Sequence, residues 1–149
     1  GEYWRLISGH LVHCDIQHLL LNGLAFLILA LFIEKQSLSL VPPLLFGFGS
    51  VSLYLWLFEP NLSLYCGLSG VLNTLLVFGL GAHYRSSKNP VFLLTLVGAV
   101  VKILWETATQ EPIFSNTLWQ SVPAAHAAGF GGGIILLIFS KPGPTPKTA

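Results

Sequence analysis

Residues 60–84 read PNLSLYCGLSGVLNTLLVFGLGAHY, a stretch without Asp, Glu, Lys or Arg that sets Ser69 among Gly67, Leu68 and Gly70 and then runs on through apolar residues. It is long enough to cross the hydrocarbon core of a bilayer. There a backbone must satisfy its polar groups within the segment, so a helix is expected. Three further runs free of the same four residue types, 16–33, 36–58 and 112–140, repeat the pattern. Over all 149 residues the charged share is 9% and the hydrophobic share 53%. An ordinary soluble domain carries roughly 25% charged residues, so the solvent of this chain is lipid.

The same composition excludes a disordered, collagen-like or coiled-coil chain. A net charge of +1 with no basic cluster argues against a nucleic-acid partner. Five spans are predicted, at 16–33, 40–58, 68–84, 91–108 and 122–139. The chain is therefore read as an all-α, multi-pass membrane protein with one domain over 1–149, an outer loop segment at 1–15 and a tail at 141–149. The fourth span follows Asn89-Pro90, a helix-entry signal, and carries Lys102 and Glu106 at a spacing that pairs them on one face. The chain opens at Gly1, has no Met and shows no signal peptide, as expected of a piece of a longer or processed chain.

Loop charges orient the spans. Lys35, Arg85, Lys88, Lys141 and Lys147 follow the first, third and fifth, whereas the opposite side holds Arg5 with Glu2, Asp15, Glu59 and Glu111. Basic residues collect on the cytoplasmic side, so the N-terminus is expected outside and the C-terminus inside. Tyr3, Trp4, Tyr65, Trp105 and Trp119 then suit an outer aromatic belt.

In that arrangement the first, third and fifth spans all begin near the outer surface, and their first turns carry His18 and Asn22, Ser69, and His126. Polar groups in a membrane bundle are costly and point to function. A serine in a membrane helix also packs or bonds back to its own backbone, and the run 124–133, AAHAAGFGGG, also reads as a packing seam. The glycines at 67, 70, 79 and 81 slim the third span in the same way. Two slim helices can bring the Ser69 hydroxyl to a His126 ring nitrogen, the minimum for acyl transfer. Uncapped N–H groups at Ser69 and Leu68, with His18 and Asn22 at i,i+4, supply donors for an oxyanion. No carboxylate is placed beside His126 by this reading. Glu106 and Glu111 stay open, and the expected unit is a Ser–His dyad.

These elements resemble the rhomboid intramembrane serine proteases. The resemblance rests on Trp4-Arg5, on His13, His18 and Asn22 within HCDIQHLLLN, on Glu34-Lys35, on Gly67-Leu68-Ser69-Gly70, and on His126-Ala127-Ala128-Gly129 with Gly133. It implies a six-helix core of which the five spans are helices two to six. It also implies Ser69 as nucleophile, His126 as base, and His18, Asn22 and the Ser69 N–H as oxyanion hole, with no cofactor. Where the family often has an aromatic residue four after the nucleophile, this chain has Asn73, an alternative hydrogen-bonding support for the imidazole. The opening WRLISGHLVH at 4–13 is similar to rhombosortases, bacterial enzymes of the inner membrane that process glycine-rich C-terminal membrane anchors. The implied partners are a membrane-anchored protein substrate and the lipid bilayer.

Three other readings compete. His10, His13, Cys14 and His18 are metal-ligand types, although their spacing matches no standard site. Intramembrane polar residues also mark transport pathways, but no inverted repeat is evident. The third is an inactive relative that binds membrane helices without cutting them. Cys14 and Cys66 both fall outside, where a disulfide can form; two buried small apolar residues are the alternative.

Overall fold

The computed structural model describes residues 2–62, 64–111, 113 and 122–140. Trp119, Lys141, Lys147 and the tail lie outside the described residues. The described chain is helical: α1 Arg5–Ser8, α2 Ile16–Lys35, α3 Val41–Phe58, α4 Ser69–Ser87, α5 Pro90–Thr109 and α6 Pro123–Phe139. The five expected spans are α2 to α6, each shifted by at most a few residues. The short α1 lies in the loop segment and touches α3.

Local chemistry sets the ends. Asp15 caps α2 by accepting from the His18 N–H at 2.7 Å, and Asn89 caps α5 by accepting from the Val91 N–H at 3.0 Å. Proline stands in the first turn of α3, α5 and α6, where its missing N–H costs nothing. Three helices, α2, α3 and α5, are each long and apolar enough to cross a membrane, and α6 is a shorter apolar helix.

The remaining helix, α4, is less apolar because it is the centre of the bundle, touching α2, α3, α5 and α6. Its residues from Gly70 to Ala82 are nearly all buried. Ile33 of α2 packs with Leu68 and with Val71, Leu72, Leu75 and Phe78 of α4 to form the core. Hydrophobic association is weak between helices already in lipid, so close contact must come from shape. A Cβ at Gly133 would sit 2.7 Å from the Val77 Cβ, and one at Gly47 would sit 2.8 Å from a Val71 methyl. The bundle closes because these residues have no side chain. Large apolar residues such as Leu20, Leu24, Leu94 and Leu104 point out of it.

Candidate active site

Ser69 is the first residue of α4, and His126 lies one turn into α6. Gly70 and Gly129 let the two backbones touch there: a side chain at Gly129 would run into the Gly70 carbonyl, and one at Gly70 would come within 3.1 Å of the Ala125 oxygen. Thr74, fully buried, locks the crossing by donating to the Gly129 carbonyl at 2.7 Å. At that crossing the Ser69 Oγ lies 2.8 Å from the His126 Nε2. The imidazole is 8% exposed.

His18 and Asn22 reach the same place from α2. The φ of Gly67 is +108°, a conformation that favours glycine, and a Cβ there would lie 2.5 Å from the His18 Cε1. Glycine therefore serves both the turn into α4 and the approach of the His18 ring. The Asn22 Nδ2 lies beside Gly67, is buried, and has no hydrogen-bond partner among the described residues. Leu68 is the N-cap of α4 and gives no side-chain cap. The first N–H groups of the helix are thus without intrahelical acceptors, beside Ser69.

Two links hold this corner. The Gly67 N–H donates to the Val12 carbonyl at 2.8 Å, and Cys14 is joined to Cys66 in a disulfide whose Cα atoms are 6.6 Å apart. The bridge left open by the sequence is therefore formed, tying the starts of α2 and α4. Cys14 is consequently no thiolate ligand. His10 is also committed: its Nε2–H donates to the Ser52 Oγ at 2.9 Å, because the Ser52 hydroxyl is donated to the Leu6 carbonyl at 2.7 Å. Burial lowers the pKa of His10 to about 4. The metal reading loses two of its four ligands. Tyr65, expected in an aromatic belt, instead packs edge-on against His10, with ring centroids 5.2 Å apart.

Asn73 does not reach the imidazole. Its amide donates to the Ser69 carbonyl at 2.9 Å, one turn back along its own helix. The second ring nitrogen of His126 is taken by a residue that the sequence pattern alone does not place: Nδ1 lies 3.0 Å from Glu106 Oε2. The other carboxylate oxygen accepts from Lys102 Nζ at 2.7 Å and from the Ile113 N–H at 3.3 Å. The signal was present in outline. The fourth and fifth spans are consecutive and antiparallel, so the end of one shares its depth with the start of the other. Among the described residues Glu111 makes no hydrogen bond to His126; its N–H donates to the Thr109 hydroxyl at 3.2 Å.

Chemically, the corner combines a hydroxyl within hydrogen-bond reach of an imidazole nitrogen, donors unpaired among the described residues, and a buried carboxylate. No curated protein and no solved structure gives a significant match to the chain. A family model does: the Rhomboid domain, over residues 1–142. That match covers nearly the whole chain, including every helix of the bundle, and it places this integral membrane protein in the rhomboid family, a family of intramembrane serine proteases.

Proposed function

We propose that this chain is an intramembrane serine endopeptidase in which Ser69 is the nucleophile and His126 the general base. The observation that carries the reading is the 2.8 Å approach of the Ser69 Oγ to the His126 Nε2. In attack, the Oγ–H proton passes to Nε2 as Oγ bonds the scissile carbonyl carbon, and the carbonyl pair moves onto oxygen. The oxyanion is met by the N–H groups of Leu68 and Ser69 and by the side chains of His18 and Asn22. Collapse expels the amine, which leaves with the Nε2 proton. Water then attacks the acyl ester, gives a proton to Nε2, and Ser69 takes it back as the C–Oγ bond breaks.

The substrate is a membrane-anchored protein cut near the outer face of a bacterial inner membrane, with the C-terminus of the chain in the cytoplasm. The likeness of residues 4–13 to rhombosortases supports a glycine-rich C-terminal anchor as the segment recognised. The test is fluorophosphonate labelling of the protein in lipid vesicles. Wild type is expected to label, Ser69→Ala to lose labelling altogether, and His126→Ala to slow it by about 10²-fold or more. Wild type that fails to label, or Ser69→Ala that still labels, overturns the reading.

A further inference from the structure

Glu106 is 2% exposed and stands near the C-terminal end of α5. A carboxylate is costly there on two counts. It is buried in a helix that crosses lipid, and it lies near the negative end of the helix dipole. Anchoring of α5 does not by itself explain it. Lys102 is on the same helix, so their 2.7 Å ion pair ties α5 to nothing. Ile113 belongs to the chain just beyond the helix. Among the described residues, the bond of Glu106 that reaches another helix is the one to His126 Nδ1.

We infer that Glu106 is the positioning residue of a Ser69–His126–Glu106 triad, with Lys102 as its neutralising partner. The inference rests on the reading of Ser69 and His126 given above. An ionised carboxylate accepts hydrogen bonds and cannot donate them, so Nδ1 must carry the ring proton and Nε2 must present its lone pair to the Ser69 hydroxyl. That is the one neutral tautomer in which His126 can act as base. When Nε2 takes the serine proton, a positive charge forms one turn from the start of α6, at the positive end of that helix's dipole. Glu106 meets that charge at 3.0 Å. Lys102 keeps the resting pair neutral, so the buried carboxylate is tolerated before the imidazolium exists.

The test uses the full chain in lipid vesicles, with the fluorophosphonate as probe. Glu106→Gln keeps the shape but offers an amide that can donate to Nδ1, which selects the wrong tautomer. The saturating labelling rate is expected to fall on the order of 10²–10⁴-fold, with the half-saturating probe concentration unchanged. Glu106→Asp is expected to recover part of the rate. Nitrogen-15 NMR of the histidine rings, with His126 assigned by its absence in His126→Ala, should show an Nδ1–H tautomer in wild type and Nε2–H in Glu106→Gln.

If wild type labels, Ser69→Ala does not, and Glu106→Gln labels at the wild-type rate, the triad is wrong while the protease reading stands. If wild type itself does not label, the protease reading has failed and takes the triad with it. Should Glu106→Gln not fold, the wild-type spectrum decides: an Nε2–H tautomer at His126 overturns the inference.

Discussion

The crossing of α4 and α6 and the attachment of α5 are two opposite ways of holding a side chain. At the crossing, Gly70 meets Gly129, Gly133 meets Thr74 and Val77, and Gly81 meets Leu137, so backbone lies on backbone. In α5 only Ile103 and Glu106 are fully buried; Phe92, Leu96, Ala99 and Lys102 are half-buried, and the rest of the helix faces outward. The proposed nucleophile and base thus sit where shape leaves no freedom. The group proposed to orient the base hangs on a helix that meets the bundle along one narrow stripe, with Phe92 packed on Phe32 and His83 toward its start. Precision in the first region comes from the absence of side chains; in the second, a thin packing stripe is joined at one end by the Glu106 carboxylate.

The largest effect is expected from breaking the first region. Gly129→Val puts a branched side chain against the Gly70 carbonyl, and neither backbone can yield without carrying Ser69 away from His126. Overpacking of this kind costs roughly 3 kcal/mol or more, so the variant should lose cooperative thermal unfolding in detergent together with all probe labelling. Gly131→Ala is the internal control. Nothing lies within 4 Å of a Cβ there, and stability should stay within about 0.5 kcal/mol of wild type. A folded, active Gly129→Val protein would show that the close approach is dispensable.

The two regions also differ in how far they could be read from sequence. The spans were legible because lipid forbids unpaired charge, leaving long charge-free runs. Ser69, His126, His18 and Asn22 were legible as neighbours because alternate spans must begin at the same face. The glycines that bring the helices together announced themselves by spacing. The partner of His126 did not, because α5 is apolar on nearly every side and its pattern does not fix its rotation about its own axis. Lys102 and Glu106 at i,i+4 are satisfied as a pair within one helix, which hides the second bond. His10 was ambiguous for a similar reason: its partner Ser52 is 42 residues away on α3. The Cys14–Cys66 pairing likewise depends on a contact across 52 residues that no local pattern encodes.

An intermediate effect should follow from cutting the hydrogen bond by which the Glu106 carboxylate joins α5 to α6. Glu106→Leu leaves Lys102 without its partner, but that side chain is 31% exposed and can turn outward. The loss is therefore local. Amide hydrogen exchange near the C-terminal end of α5 should quicken by roughly 10-fold, corresponding to about 1.4 kcal/mol, while the central amides of α4 and α6 keep their wild-type protection. Equal loosening of all three helices would mean that α5 is part of the same rigid unit, and the contrast between the regions would fail.

The smallest effect belongs to a third mode of attachment, a neutral imidazole. The α1 segment is pinned to α3 through Leu6, Ser52 and His10, and the His10 Nδ1 is buried with no partner among the described residues. The ring packs against Phe48 and Tyr65, neither of which carries a negative charge at neutral pH. Burial lowers the His10 pKa from 6.5 to about 4 in the docked segment, which precedes the first span. Above pH 6.5 neither the docked nor the detached segment holds the proton, and docking is unaffected. As the pH falls from about 6.5 to about 4 the detached segment takes up a proton that the docked one refuses, so docking weakens by roughly 3 kcal/mol across that window and no further below it. Limited proteolysis of residues 2–12 in lipid should therefore accelerate between pH 7 and pH 4.5 in wild type. In His10→Phe most of the acceleration should be lost, since the contacts that remain at Leu6 and Ser52 do not titrate. A pH response that persists undiminished in His10→Phe would trace the docking to other charges and leave His10 as packing alone.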